Sequence, residues 1–115
     1  MTTECVFCRI VAGRLPADKV FENDTVLAFR DINPVAPTHI LLIPRQHIAG
    51  PAALDETTAA VMVDLLLAAK AVAAQEGIEA SGYRLVLNQG MAAGQSVFHL
   101  HMHLIGGRRL RWPPG

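Results

Sequence analysis

Between Phe98 and Leu104 the chain alternates without a break: Phe98, Leu100, Met102 and Leu104 are apolar, and His99, His101 and His103 stand between them. A period of two is the pattern of a β-strand, whose successive side chains point to opposite faces. The three imidazoles therefore share one face and the apolar residues the other. Neighbours on a face are spaced by roughly 6–7 Å per two residues. A chain with this run must bury one side of the strand in a core and carry its histidines on the opposite side of a sheet. The chain has only five histidines, so three within five positions is a concentrated feature.

The surrounding segments supply the rest of an α+β architecture. KVFE (19–22) and TVLAFRDI (25–32) read as two strands joined at Asn23-Asp24, a hairpin signal without the usual glycine. HILLIP (39–44) reads as a buried strand closed by Pro44, and YRLVLNQ (83–89) alternates as another. CVFCRIVAG places Val6, Phe7, Ile10 and Val11 at helical spacing before Gly13, which predicts a short helix with a glycine stop. From Asp55 to Gly77 the period lengthens, with Val61, Leu65, Ala68 and Val72 on one face and Met62, Leu66, Ala69 and Ala73 beside them. This is one long helix of roughly 30 Å, with Asp55 as its N-cap. Hairpin-like connections favour a mainly antiparallel sheet in a single domain spanning residues 1–115.

Charge narrows the class of partner. Ten Lys plus Arg balance ten Asp plus Glu, which argues against a nucleic-acid or membrane-surface binder. Hydrophobic residues make up 51% and charged residues 17%, too little polar surface to coat a monomer comfortably, so an apolar association face is expected. The N-terminal MTTECVFCRI carries Glu4 and Arg9 and lacks a secretory apolar stretch, and Asp64 and Lys70 interrupt the longest apolar region. The expectation is a cytoplasmic protein. There, Cys5-x-x-Cys8 suggests a metal site or redox pair before a structural disulfide.

Three readings of the histidine face compete. A merely solvated face would more often use Thr, Lys or Glu. One metal ion held by all three rings is hindered by their spacing, although neutral imidazole is the commonest metal ligand. The third reading is acyl or phosphoryl transfer, because imidazole is largely neutral at about pH 7, needs no strong base, and forms a phosphoramidate that water later cleaves. Crowded imidazoles also disfavour one another's protonation. The adjoining GQS (94–96) fits this reading: a glycine-permitted loop can aim backbone N–H groups at phosphate oxygens, and Ser96 offers a hydroxyl there.

The run HLHMHLI resembles the signature of the histidine-triad superfamily, and the likeness extends through FRDINPVAPTH, GYRLVLNQG, GQSVFHLHMHLIGGR and the terminal WPPG. The terminal features resemble the Hint branch rather than the dinucleoside polyphosphate hydrolases. The resemblance implies a HIT fold with a five-stranded sheet, one long and one short helix, and a homodimer joining two sheets. It implies a hydrolase of purine nucleoside phosphoramidates and acyl-nucleotides, with AMP- or GMP-type substrates and no metal required for catalysis.

Carried over by residue, the resemblance makes His101 the nucleophile toward the α-phosphorus, its second nitrogen oriented by the His99 carbonyl. His103 with the backbone of Gly94, Gln95 and Ser96 would hold the phosphate, Ser96 also assisting the leaving amine and Asn88 supporting the network. His39 would join the histidines from a neighbouring strand. Asp31 would accept from the ribose hydroxyls, and Val6, Phe7, Ile10, Phe29 and Ile32 would form the base slot. Trp112, in a tail over 105–115, would reach the partner's active site. By the same resemblance Cys5, Cys8, His47 and His99 would hold a structural zinc ion. Read locally, Asp31 also fits a turn hydrogen bond and His39 a satisfied core position. Two rivals remain at this level: a dinucleoside polyphosphate hydrolase, and a nucleotide-binding interaction module whose activity is incidental.

Overall fold

The structure is a computed structural model that describes residues 5–115; Glu4, read above with the N-terminal segment, lies outside the described residues. Strands β1 (Lys19–Glu22), β2 (Val26–Arg30), β3 (Thr38–Pro44), β4 (Tyr83–Leu87) and β5 (Met102–Gly106) form one sheet, and helices α1 (Val6–Val11) and α2 (Ala60–Gln75) cover it. The order across the sheet is β1-β2-β3-β5-β4, and every neighbouring pair is antiparallel. The α+β fold with one long and one short helix is as expected. Among the described residues no helix is long and apolar enough to cross a membrane.

The β1–β2 turn explains how a hairpin closes without glycine. Asn23 Oδ1 accepts from the backbone N–H of Thr25 at 3.0 Å and of Val26 at 2.8 Å, so the side chain makes the turn. At the other boundary of this unit, Gly13 ends α1 with φ +76°, a left-handed conformation costly for residues with a Cβ.

The sheet is covered on both faces, and period two sorts its residues. Ile40 and Leu42 of β3 join Leu100, Met102 and Leu104 against Leu65, Ala68, Ala69 and Val72 of α2. Leu41 and Ile43 point the other way, with Leu27 and Phe29, against Phe7 and Ile10 of α1. Every residue of β3 is buried, which suits its aliphatic, β-branched sequence. Each fully buried leucine here contributes about 1.5–3 kcal/mol. His39, in phase with Leu41 and Ile43, and the three histidines of the 98–107 run, out of phase with the Leu100-Met102-Leu104 set, face the α1 side. That side is a second packed layer rather than open surface, and His99 and His101 are buried in it.

Several boundaries differ from the sequence reading, each for a local reason. The ladder of β5 starts only at Met102; the chain bends through residues 97–99 before it, and is tied by the Leu100 N–H to the Ile48 carbonyl at 2.6 Å. Phe98, expected with the apolar set, is 48% exposed because it precedes this tie. The long helix begins at Ala60 rather than beside Asp55, since Asp55 Oδ1 accepts from the N–H of Thr57 and Thr58 and caps a separate turn first. Leu66, expected inside, is exposed, because α2 is apolar nearly all round and the sheet takes only one stripe. Strand β2 stops at Arg30, whose guanidinium makes two hydrogen bonds to Glu76 beyond the end of α2, at 3.0 and 2.9 Å.

Candidate active site and metal centre

A cleft of about 520 Å³ opens between α1 and the ends of β2, β3 and β5, within the roughly 300–1,000 Å³ of small-molecule sites. Val6, Phe7, Ile10, Phe29 and Ile32 line its apolar part, and Asp31, Ser96, His101 and His103 its polar part. These are residues singled out in the sequence. Leu15, Pro16, Arg30, Leu41 and Val97 also line the cleft. Leu15-Pro16 carries the only local sign, an apolar residue where the chain turns back after α1.

Hydrogen-bond partners fix the protons on these rings. His101 Nδ1 is 2.7 Å from the His99 carbonyl, which can only accept, so Nδ1 carries the proton and Nε2 keeps its lone pair. His39 Nδ1 accepts from the Val35 N–H at 3.1 Å, which leaves the His39 proton on Nε2. That proton meets His103 Nδ1 at 2.9 Å, so His103 carries its own proton on Nε2. Two neighbouring rings in one cleft therefore differ in polarity: His101 offers a lone pair, and His103 an N–H.

Burial disfavours the charged forms of His103 and His39. His103 is pushed down to about 4 by burial, then by the charges of His101 and His39, with Asp31 opposing. Burial also lowers His39, and Asp31 again opposes. Asp31 Oδ2 lies 3.4 Å from His39 Nε2, while Oδ1 accepts from the Asn33 N–H at 2.8 Å. The turn role and the cleft position thus coexist in one carboxylate. Phe7 sets its ring edge-on against His101 at 5.2 Å, Phe29 at 5.6 Å and His99 at 5.8 Å, joining the apolar slot to the histidines.

Other singled-out residues stand apart from the cleft lining. Asn88 follows β4 and does not line it. Neither do Gly94 and Gln95, whose backbone N–H groups are already bonded inside the loop, to Met91 and Gly90 carbonyls at 3.0 and 3.1 Å. The Gln95 side chain instead anchors the loop: Oε1 accepts from the Gly90 N–H at 2.8 Å, and Nε2 donates to the Ala49 carbonyl at 2.8 Å. Trp112 is 81% exposed in a segment held beside β4 by Arg84, which donates to the Arg111 carbonyl.

Behind the cleft, Cys5 Sγ, Cys8 Sγ, His47 Nδ1 and His99 Nδ1 all lie within 4.8 Å of one another. A tetrahedral zinc with bonds of about 2.0 Å to nitrogen and 2.3 Å to sulfur needs edges of roughly 3.3 Å between nitrogens and roughly 3.5 Å from sulfur to nitrogen. The two Nδ1 atoms are 3.2 Å apart, three of the four sulfur–nitrogen distances are 3.2, 3.5 and 3.5 Å, and the fourth is within 4.8 Å. His99 Nε2 donates to the Pro44 carbonyl at 2.9 Å, leaving Nδ1 bare toward the other donors. Burial, then the hydrogen bond and charge of Cys5, push the Cys8 thiol up to about 11, so without an ion Cys8 keeps its proton. The donor set fits one tetrahedral ion.

The model of the HIT domain matches residues 12–110. The chain belongs to the HIT domain family. Among its most similar relatives are the 14 kDa zinc-binding protein of Zea mays, 49% identical over 96% of this chain and 87% of that protein, and adenylylsulfatase HINT1 of Arabidopsis thaliana, 49% identical over 96% and 76%. Among solved structures, a HIT family hydrolase from Legionella pneumophila Philadelphia 1 superposes with a TM-score of 0.95 at 47% identity, covering 97% of this chain and all of the other.

Proposed function

We propose that this HIT protein hydrolyses nucleoside 5′-monophosphate derivatives, cleaving phosphoramidates and acyl or other mixed anhydrides through a nucleotidyl group on His101. One observation carries the reading: His101 lines an apolar cleft of nucleoside size with Nδ1–H on a carbonyl and Nε2 free to attack. The name of the Arabidopsis relative, an adenylylsulfatase, supports a nucleotide mixed anhydride as one substrate type.

In this reading Phe7, Phe29 and Ile32 take a purine base and Asp31 accepts from the ribose hydroxyls. His101 Nε2 bonds to the α-phosphorus, the bond to the leaving group breaks, and its electron pair departs with the amine or acid. Ser96 donates to an amine as it leaves. The resulting imidazolium is stabilised through Nδ1–H by the His99 carbonyl. His103, an N–H donor held neutral, bonds a phosphate oxygen. Water then attacks phosphorus, the electrons of the Nε2–P bond return to the ring to regenerate neutral His101, and the water's proton passes through the phosphate to solvent. Gly94 and Gln95 shape the loop that presents Ser96, and Asn88 supports it from the end of β4. The base slot takes adenine or guanine.

Cys5, Cys8, His47 and His99 would hold a zinc ion, a use that suits the reducing cytoplasm for two free cysteines. The chain would form a homodimer: β4 leaves one backbone edge unpaired at the border of the sheet, and α2 exposes Val63, Leu66 and Leu67. Trp112 would then approach the partner's cleft. Turnover of adenosine 5′-phosphoramidate is the test. His101→Ala should lose at least about three orders of magnitude in kcat, and acid-quenched wild type should carry a nucleotidyl adduct on residues 98–107. Equal, negligible rates in both would leave only a binding protein.

A further inference from the structure

His99 takes part in both halves of the site. Its ring Nδ1 is one of the four converging donors, its Nε2 is spent on the Pro44 carbonyl, and its own carbonyl accepts from His101 Nδ1 at 2.7 Å. Cys5 is the N-cap of α1 and Cys8 lies in its first turn, so the same donors hold the helix whose Phe7 packs on both imidazoles. The peptide of His99 precedes the ladder of β5, and the nearest backbone tie is the Leu100 N–H to Ile48. The Leu100 N–H and the His99 carbonyl belong to one peptide, so the carbonyl's orientation is set by this tie together with whatever grips the side chains of His47 and His99, which precede its two ends and are both among the four donors.

We propose that the four-donor centre is a positioning device for the nucleophile: an ion held by Cys5, Cys8, His47 and His99 fixes the carbonyl that selects the Nδ1–H tautomer of His101. The same grip fixes α1 against the base. The inference rests on the reading above for the part His101 plays, and adds that metal occupancy controls it from outside the cleft. Without an ion, two Nδ1 atoms face each other at 3.2 Å with the cysteine sulfurs beside them; His99 keeps its Nε2–H bond to the Pro44 carbonyl, but only weak contacts to sulfur join the four donors. A neutral imidazole released from its carbonyl exchanges between tautomers, and the Nε2–H form cannot attack phosphorus.

The test compares zinc-loaded protein, chelator-stripped protein, Cys8→Ala and His47→Ala, the last removing an exposed donor without cutting into the core. The readouts are nitrogen-15 NMR of the His101 ring in ligand-free protein at about pH 8, above the ordinary imidazole range, and the dissociation constant of AMP. In loaded protein His101 should show one protonated and one bare nitrogen. Stripped protein and both variants should show averaged nitrogens and bind AMP about tenfold more weakly, and cobalt should restore the stripped protein. An unchanged His101 signature and unchanged AMP affinity, with only a lower Tm, would reduce the centre to a structural staple. If no form binds AMP while the His101 signature still follows the metal, the positioning role stands and the nucleotide reading falls.

Discussion

Both ring nitrogens of His39 are committed, one to the Val35 N–H and one to His103, and this fixes the polarity of a ring that His39 never replaces in the cleft. His103 in turn stays neutral because it is half-buried beside two other imidazoles, which drives it to about 4. In an unfolded chain a histidine titrates at about 6.5, so between these values the unfolded state binds the extra proton. Stability is then full above about pH 6.5, falls as pH drops, and stops falling on this account below about pH 4. Urea midpoints measured across that window should decline for the wild type and decline less for His103→Asn.

At the level of elements, the loop before the histidines hangs on one amide. Gln95 is buried, ties Gly90 to Ala49, and sits so close to Gly50 that a Cβ there would meet its Nε2 at 3.1 Å and Gln89 Oε1 at 2.8 Å. Gln95→Ala should cost about 2 kcal/mol in chemical denaturation and lower kcat by releasing Ser96. The end of α2 has its own tie. Glu76 stands at the negative end of the helix dipole, and the two hydrogen bonds from Arg30 hold its carboxyl below the usual range. That contribution is present above the unfolded carboxylate value of about 4.3 and is lost as pH falls through the folded one. Glu76→Gln should lower stability by about 1 kcal/mol at neutral pH, with the difference from wild type vanishing in acid. Neither tie was legible in the sequence, because Arg30 and Glu76, like Ala49 and Gln95, are 46 residues apart. Local pattern did carry β1, β3, β4 and α1, where period and stop signal agree. It misplaced the start of the long helix because Thr57 and Thr58 draw Asp55 into a turn of its own, and it could not tell Leu66 from Leu65 in a helix apolar on every side.

Across the whole molecule, the alternation of 99–104 foretold which residues face α2 and which face α1, although the ladder itself is shorter than the alternation and Phe98 falls outside it. The identity of the cleft residues was legible for the same reason: α1, the end of β2 and the histidine run are each marked by motif, and a sheet with two covered faces leaves one place for them to meet. The apolar surface expected from composition lies in part on α2, at Val63, Leu66 and Leu67. If that face and the free edge of β4 join two copies, light scattering should give a dimer for the wild type and a monomer for Val63→Glu with Leu66→Glu. Arg108, just past β5, donates two hydrogen bonds, at 3.2 and 2.9 Å, to the carbonyl of Val35, the residue whose N–H orients His39. Arg108 thus steadies the first member of a proton-bearing series that ends inside the cleft, and exchanging this arginine for a neutral residue would disturb chemistry that its own side chain never touches.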